Sequence, residues 1–154
     1  MLHALAVTMF RDLLPAPEVP RPERFSLRPY GESSFSALVA LQNRTAEEAS
    51  MWTDSDLRER LEDPALDPRG LFLGTDRHGP AGYCWISMDG TESEVVHFGI
   101  DQRAAGSGLS ASLVARGLQW AEIQGARTAV VRLHEDDERA ARIFRRLGFL
   151  ITRD

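Results

Sequence analysis

The 154-residue chain has no lysine, and all eighteen of its basic residues are arginine. No Schiff-base former and no acetylatable ε-amine is therefore available within it. Cys84 is the single cysteine, which excludes an internal disulfide and any cysteine-rich zinc site. No apolar run reaches the roughly twenty residues needed to span a bilayer. Arg11 and Asp12 stand where a signal peptide would place its cleavage region. The expected address is cytoplasmic, away from membranes. A net charge of −5 provides no basic face for nucleic acid. Repeats and low-complexity tracts are absent, as is any Gly-Lys-Ser/Thr phosphate loop. What is present, 43% hydrophobic and 27% charged residues, is an ordinary globular composition of a length that suits one core.

The stretch from Glu94 to Val114 organises the rest. Val95, Val96, Phe98 and Ile100 are of the β-branched and aromatic types that suit a buried strand. Gly106 and Gly108 follow, with Ser107 between them, and from Leu109 the apolar positions (Leu113, Val114, Leu118, Ala121) take helical spacing. A strand that enters a helix through a glycine turn leaves unpaired N–H groups at the positive end of the helix dipole. Such a turn suits a phosphate. The same pattern also serves as a plain tight connection, so at this point both readings stand.

Around that stretch the chain reads as follows. Residues 2–10 form a strand with Leu5, Val7 and Met9 on one side, and Pro15, Pro17, Pro20 and Pro22 make an extended linker. A second strand at 25–28 stops at Pro29. A helix spans 33–44, and a shorter one, capped by Asp54 or Ser55, carries Leu57 and Leu61. A hairpin joins 70–75 to 81–88 through residues 76–79, and Asp89-Gly90 turns into the central strand. After the long helix, stopped near Gly125, come a strand at 128–133, a helix at 135–147 with its apolar face on Ala140, Ile143, Phe144 and Leu147, and a last strand at 149–152. The expected class is α/β (α+β): a mixed, mostly antiparallel central sheet flanked by helices on both faces, with one β-α-β unit at its centre.

Two blocks, Gly99-Ile-Asp through Gly106-Ser-Gly-Leu109 and Glu138-Arg-Ala-Ala-Arg-Ile-Phe-Arg-Arg-Leu-Gly-Phe149, resemble the GCN5-related N-acetyltransferase (GNAT) family. Met51–Leu57, Asp67–Leu73 and Glu94–Asp101 are similar to the C-terminal half of mycothiol synthase-type tandem acetyltransferases. The resemblance implies a 1–24 segment of N-terminal strand and proline-rich linker ahead of an acetyltransferase-like domain at 25–154. The family adds one more strand after its Gly-Phe strand. Here residues 2–10 are expected to fill that sheet position, within the same chain or by exchange in a homodimer, because an open edge is a pairing hazard.

The resemblance also implies acetyl-CoA as cosubstrate, with no metal. Its pantetheine would pair with the backbone at Phe98, Gly99 and Ile100, and its pyrophosphate would rest on residues 105–110 (Ala105, Gly106, Ser107, Gly108, Leu109, Ser110). Asp137, Ala140 and Phe144 would complete the cofactor site from the helix. Glu94 takes the position of the general base, its alternative being a solvated strand-end carboxylate. Trp52 is the candidate acceptor contact, although packing suits it and Trp85 as well. The loop fits the family pattern in two registers, Arg103-x-x-Gly106-x-Gly108 and Ala105-x-x-Gly108-x-Ser110; the second places Ile100 and Gly125 better but loses the Gln/Arg and the last glycine. Asp137 stands for the family's asparagine, and Phe144 for a tyrosine that protonates the departing thiolate.

Among the other chemistry-bearing residues, His97 is assigned to the face opposite Glu94 and reads as a packed or surface histidine. Cys84 reads as a core thiol. His134 to Asp137 read as a solvated loop and helix start rather than a metal site. The implied function is N-acetyl transfer from acetyl-CoA to a primary amine of a small molecule, with no nucleic-acid or membrane partner. The rival is a degenerate acyl-CoA-binding or interaction domain, favoured by Ala105, Ser110, Asp137 and Phe144.

Overall fold

A computed structural model describes residues 6–46 and 48–151. Seven strands form one sheet in the order β2-β3-β4-β5-β6-β1-β7. They are β1 (Ala6–Asp12), β2 (Ser26–Pro29), β3 (Leu71–Asp76), β4 (Gly79–Asp89), β5 (Glu92–Ile100), β6 (Thr128–His134) and β7 (Leu150–Ile151). Every pairing is antiparallel except β5 with β6. That parallel pair needs a crossover, which α3 (Leu109–Ile123) supplies. The other helices are α1 (Phe35–Thr45), α2 (Asp54–Glu62) and α4 (Glu138–Arg146).

β4 lies between β3 and β5 with both faces covered, so residues 81–86 are buried without alternation. Cys84 and Ile86 point into a core shared with Leu113, Leu118, Phe144 and Phe149, on the side of α3 and α4. Tyr83 and Trp85 point into a second core with Leu38, Leu41, Trp52 and Leu57, on the side of α1 and α2. α3 packs close to the sheet because Gly117 has no side chain: a Cβ there would lie 2.6 Å from Ile86 Cγ1.

The N-terminal strand takes the vacant position, between β6 and β7 of its own chain. Its register with β6 runs from Ala6 opposite His134 to Asp12 opposite Thr128, and β7 pairs with Met9 and Phe10 on the other side. The strand extends two residues past the expected end at residue 10; the expected residues 2–5 lie outside the described residues. Met9 and Leu13 are fully buried. The proline-rich segment runs along α3. The Ala16 amide donates to Glu122 at 2.8 Å, Gln119 donates to the Pro17 carbonyl at 3.1 Å, and Ser112 donates to the Pro20 carbonyl at 2.6 Å.

Several boundaries differ from expectation, each for a local reason. Thr53, not Asp54 or Ser55, caps α2. Its hydroxyl accepts from the Asp56 amide at 3.1 Å while the Asp56 carboxylate accepts from the Thr53 amide at 2.8 Å, a reciprocal capping box. α4 begins at Glu138 rather than 135, because the Asp137 carboxylate accepts from the Ala140 amide at 3.1 Å and so caps it. α1 begins two residues later than expected, after a 3-10 turn at Glu32–Ser34.

Candidate active site

β5 and β6 pair only from Glu92 opposite Thr128 to Val95 opposite Val131. Both strands continue beyond that point, β5 to Ile100 and β6 to His134, so the sheet opens there into a wedge. The cause lies in β5. Opposite β4, Ile86 faces Val95 but Trp85 faces His97, which leaves Val96 as an extra residue. A bulge of this kind bends and twists its strand, and here it carries residues 97–100 away from β6.

The bulge also corrects the assignment of His97. Glu94 lies opposite Ser87, and His97 lies opposite Trp85. Ser87 and Trp85 are two residues apart on one strand, so they share a face and their partners do too. Glu94 and His97 therefore stand on the same side of the sheet, the side of α1 and α2. The His97 ring meets Trp52 edge-on at 5.1 Å and lies 6.1 Å from Trp85. Burial among these rings pushes its pKa down to about 4; the Arg60 guanidinium acts in the same direction and Glu94 against it. Trp52 itself is 6% exposed, with the Arg60 guanidinium 4.7 Å from its ring. Its amide donates to Gln42 at 2.7 Å. Cys84 is fully buried, which pushes its thiol up to about 12.

Glu94 is partly exposed at the vertex of the wedge, where Arg132 of β6 donates to its Oε1 at 2.6 Å. This contact holds the arginine as a cation and raises its pKa. Arg132 lines a cavity of about 420 Å³ together with Phe98, Gly99, Ile100, Ser110, Asp137 and Ala140, which brings six of the twelve expected cofactor residues into one space. Phe144 lies beneath it, fully buried, edge-on to Phe98 at 5.5 Å and to Phe149 at 5.1 Å.

A second cavity of about 320 Å³ adjoins the first. The two share Ile100, Ser110, Arg139 and Ile143, and the second is floored by Ala105, Gly106, Gly108 and Leu109. Gly108, at φ +83°, is the residue before α3, and Gly106 sits at φ +77°, conformations that L side chains rarely take. Among the described residues the amide N–H groups of Gly106, Gly108 and Ser110 have no acceptor within the protein. Ser107 does not line the space. Its hydroxyl is turned inward, donating to the Ala104 carbonyl at 2.6 Å and accepting from the Leu109 amide at 3.3 Å. Arg103 is also turned away, bound to Asp76 at 2.5 Å and to the Gly79 carbonyl at 2.9 Å. The groove thus offers backbone donors over the loop and a narrow split beside them, a shape that can take an elongated anionic ligand.

Arg132, Arg139 and Arg146 were not singled out by sequence, and Ile143 was read only as part of the apolar face of its helix. Arg132 carried a signal, as the one charged position within an apolar strand; Arg139 and Arg146 carried another in their seven-residue spacing on one helix. Among the described residues no cluster of three or more His, Cys, Asp or Glu side chains is arranged to hold a metal ion, and no helix is long and apolar enough to cross a membrane.

A family model described as the acetyltransferase (GNAT) family matches residues 35–149. The chain is similar to a mycothiol acetyltransferase of Kineococcus radiotolerans, 34% identical over 120 residues that cover 77% of this chain and 39% of the relative. It is also similar to a mycothiol acetyltransferase of Thermobispora bispora, 31% identical over 145 residues covering 88% of this chain and 49% of the relative. It therefore spans less than half the length of these two relatives. In fold it resembles the crystal structure of a GCN5-related N-acetyltransferase from Sphaerobacter thermophilus, with a TM-score of 0.81, 17% identity and coverage of 96% of this chain and 48% of that one.

Proposed function

This chain belongs to the acetyltransferase (GNAT) family, and from that membership and the wedge between β5 and β6 we propose that it is an N-acetyltransferase, passing an acetyl group from acetyl-CoA to the primary amine of a small molecule. The observation that carries the reading is the wedge itself. Among the described residues the backbone of β5 past Val95 has no partner on its β6 side, and the opening runs directly to the free amides of Gly106, Gly108 and Ser110. Residues 98–100 would bind the pantetheine arm as an added strand and polarise the thioester carbonyl. The loop would take the pyrophosphate on backbone N–H groups, which explains how Ala105 and Ser110 are tolerated there.

Acetyl-CoA supplies the activated acyl group. In this reading Glu94 receives the proton of the attacking amine, directly or through water. Arg132 holds that carboxylate directed across the wedge. Phe144 has no proton to return, so solvent protonates the departing thiolate, a group whose ordinary pKa of about 8.5 makes it a good leaving group. The neutral His97 imidazole and Trp52 close the acceptor side. The first acceptors to screen are those of the mycothiol acetyltransferases. A cytoplasmic address and a homodimer formed by exchange of β1 belong to the same proposal, the second testable by light scattering.

A second reading, a non-catalytic acyl-CoA-binding or interaction domain, is favoured by two observations: Glu94 is already engaged by Arg132, and no hydroxyl stands at Phe144. Calorimetric titration separates the possibilities. Acetyl-CoA is expected to bind in the micromolar range, and Ala105→Glu, which adds a negative charge at an exposed, unstrained loop position, is expected to weaken it tenfold or more, by the order of one charge-assisted contact. Binding with no turnover of any amine would favour the second reading. No binding would remove the enzyme reading and leave an interaction domain whose loop has lost its ligand.

A further inference from the structure

The wall of the 320 Å³ cavity facing the loop is α4, and its face there consists of Arg139, Ile143 and Arg146. Positions i, i+4 and i+7 fall on one side of a helix. Both arginines are exposed, and among the described residues neither has an ion-pair or hydrogen-bond partner. Two other charged side chains beside the cavity, Arg103 and Asp101, are already engaged. Arg103 is held by Asp76 and the hairpin carbonyls, and Asp101, the carboxylate on the cavity wall, is paired with Arg44 at 3.1 Å. The loop itself brings no cationic side chain at residues 104–111. In a chain of net charge −5, the free positive charge of this cavity therefore comes from α4.

Resting on the acetyl-CoA reading above, we propose that Arg139 and Arg146 are the phosphate-selecting residues of this site, with separate tasks. Arg139 lines both cavities, so it stands where the split meets the loop and takes the pyrophosphate together with the backbone amides. Arg146 lines only the outer cavity, two turns and about 10 Å further along the helix axis, and takes the 3′-phosphate of the ribose. A planar guanidinium suits each phosphate. The two arginines thereby supply the charge that Ala105 and Ser107 do not, so the groove distinguishes a 3′-phosphorylated cosubstrate from one without that group.

The test is calorimetry of the full chain with CoA and with dephospho-CoA, which lacks only the 3′-phosphate. The wild type is expected to bind CoA about tenfold or more tightly than dephospho-CoA. Arg146→Met is expected to lose that preference by weakening CoA alone, and Arg146→Lys to recover part of it. Arg139→Met is expected to weaken both ligands by a similar factor. Arg142→Met, on the same helix but outside the cavity lining, is expected to change neither by more than about twofold, which separates a placed contact from general attraction. Equal wild-type affinities, or a preference that survives Arg146→Met, would overturn the assignment while leaving the acetyl-CoA reading intact. A wild type that binds neither compound would overturn that reading and this one with it.

Discussion

At the loop end of the groove the amides of Gly106, Gly108 and Ser110 are free and the loop's own side chains at residues 104–111 carry no charge, whereas at the β5–β6 vertex the polar side chains are engaged or enclosed, Glu94 by Arg132 and His97 by Trp52 and Trp85. A site made of backbone donors keeps its geometry when side chains change, provided the glycine conformations at φ +77° and +83° persist. A site made of side chains keeps its chemistry only while each of them is present. On the proposed reading the Ala105 and Ser110 departures would leave ligand binding intact, while Phe144, in place of the family's tyrosine, would alter what the groove can do once a ligand is there.

The sharpest way to break that comparison is at Glu94. Glu94→Gln is nearly isosteric and lies on the far side of the wedge vertex from the loop. Amine acetylation is expected to fall by about 10²–10⁴-fold, with acetyl-CoA affinity by calorimetry changed by less than about twofold. A comparable loss of affinity would mean that the two ends are not separable, and an unchanged rate would move the base elsewhere.

A smaller effect is expected from His97 and can be read in stability. Its pKa is about 4 in the folded chain against an ordinary 6.5. As pH falls from about 6.5 to about 4, the unfolded chain takes up a proton that the folded chain refuses, so stability is lost through that window and unaffected by this group above it. The difference of about 2.5 units corresponds to about 3 kcal/mol at most. Arg60 and Glu94 are the charged groups that act on the ring. Denaturation of the wild type and His97→Phe at pH 7.5 and 4.5 is expected to show the variant losing less stability by up to that amount. Parallel pH curves would show that the ring is not enclosed as the tryptophan contacts indicate.

How much of this could be read from the chain depended on what each feature is made of. The strand-turn-helix from Glu94 to Val114, the hairpin of β3 and β4 and the helix at the Gly-Phe block follow from residue spacing and turn types, which are written in sequence. The filling of a sheet position beside residues 128–133 by the N-terminal strand was legible only through the family resemblance, which implies one more strand there. The bulge at Val96 has no such signature. Val95, Val96 and His97 read as uninterrupted strand, and one extra residue reverses the side on which His97 stands. The Thr53–Asp56 capping box was present as a three-residue spacing, but Asp54 and Ser55 are equally good cap types and masked it. Arg132 reaches Glu94 only because β6 runs parallel to β5 in a particular register, a tertiary fact that neither strand carries alone.

The finest distinction concerns Arg132. Its side chain is 55% exposed and that of Glu94 30%, so solvent screens the pair, and Arg132→Met is expected to change stability by less than about 1 kcal/mol. Its effect on the reaction decides what the contact is for. If Arg132 only occupies the Glu94 carboxylate, removing it leaves that oxygen free to accept the proton of the amine, and acetylation rises slightly, by less than about fivefold, the kinetic equivalent of that same energy. If Arg132 also fixes the direction of the carboxylate across the wedge, the rate falls toward that of Glu94→Gln while acetyl-CoA affinity stays unchanged. Stopped-time acetylation assays of the single variants and of the double variant separate the cases, because a positioning arginine has nothing left to position once Glu94 is gone, and its substitution then adds no further loss.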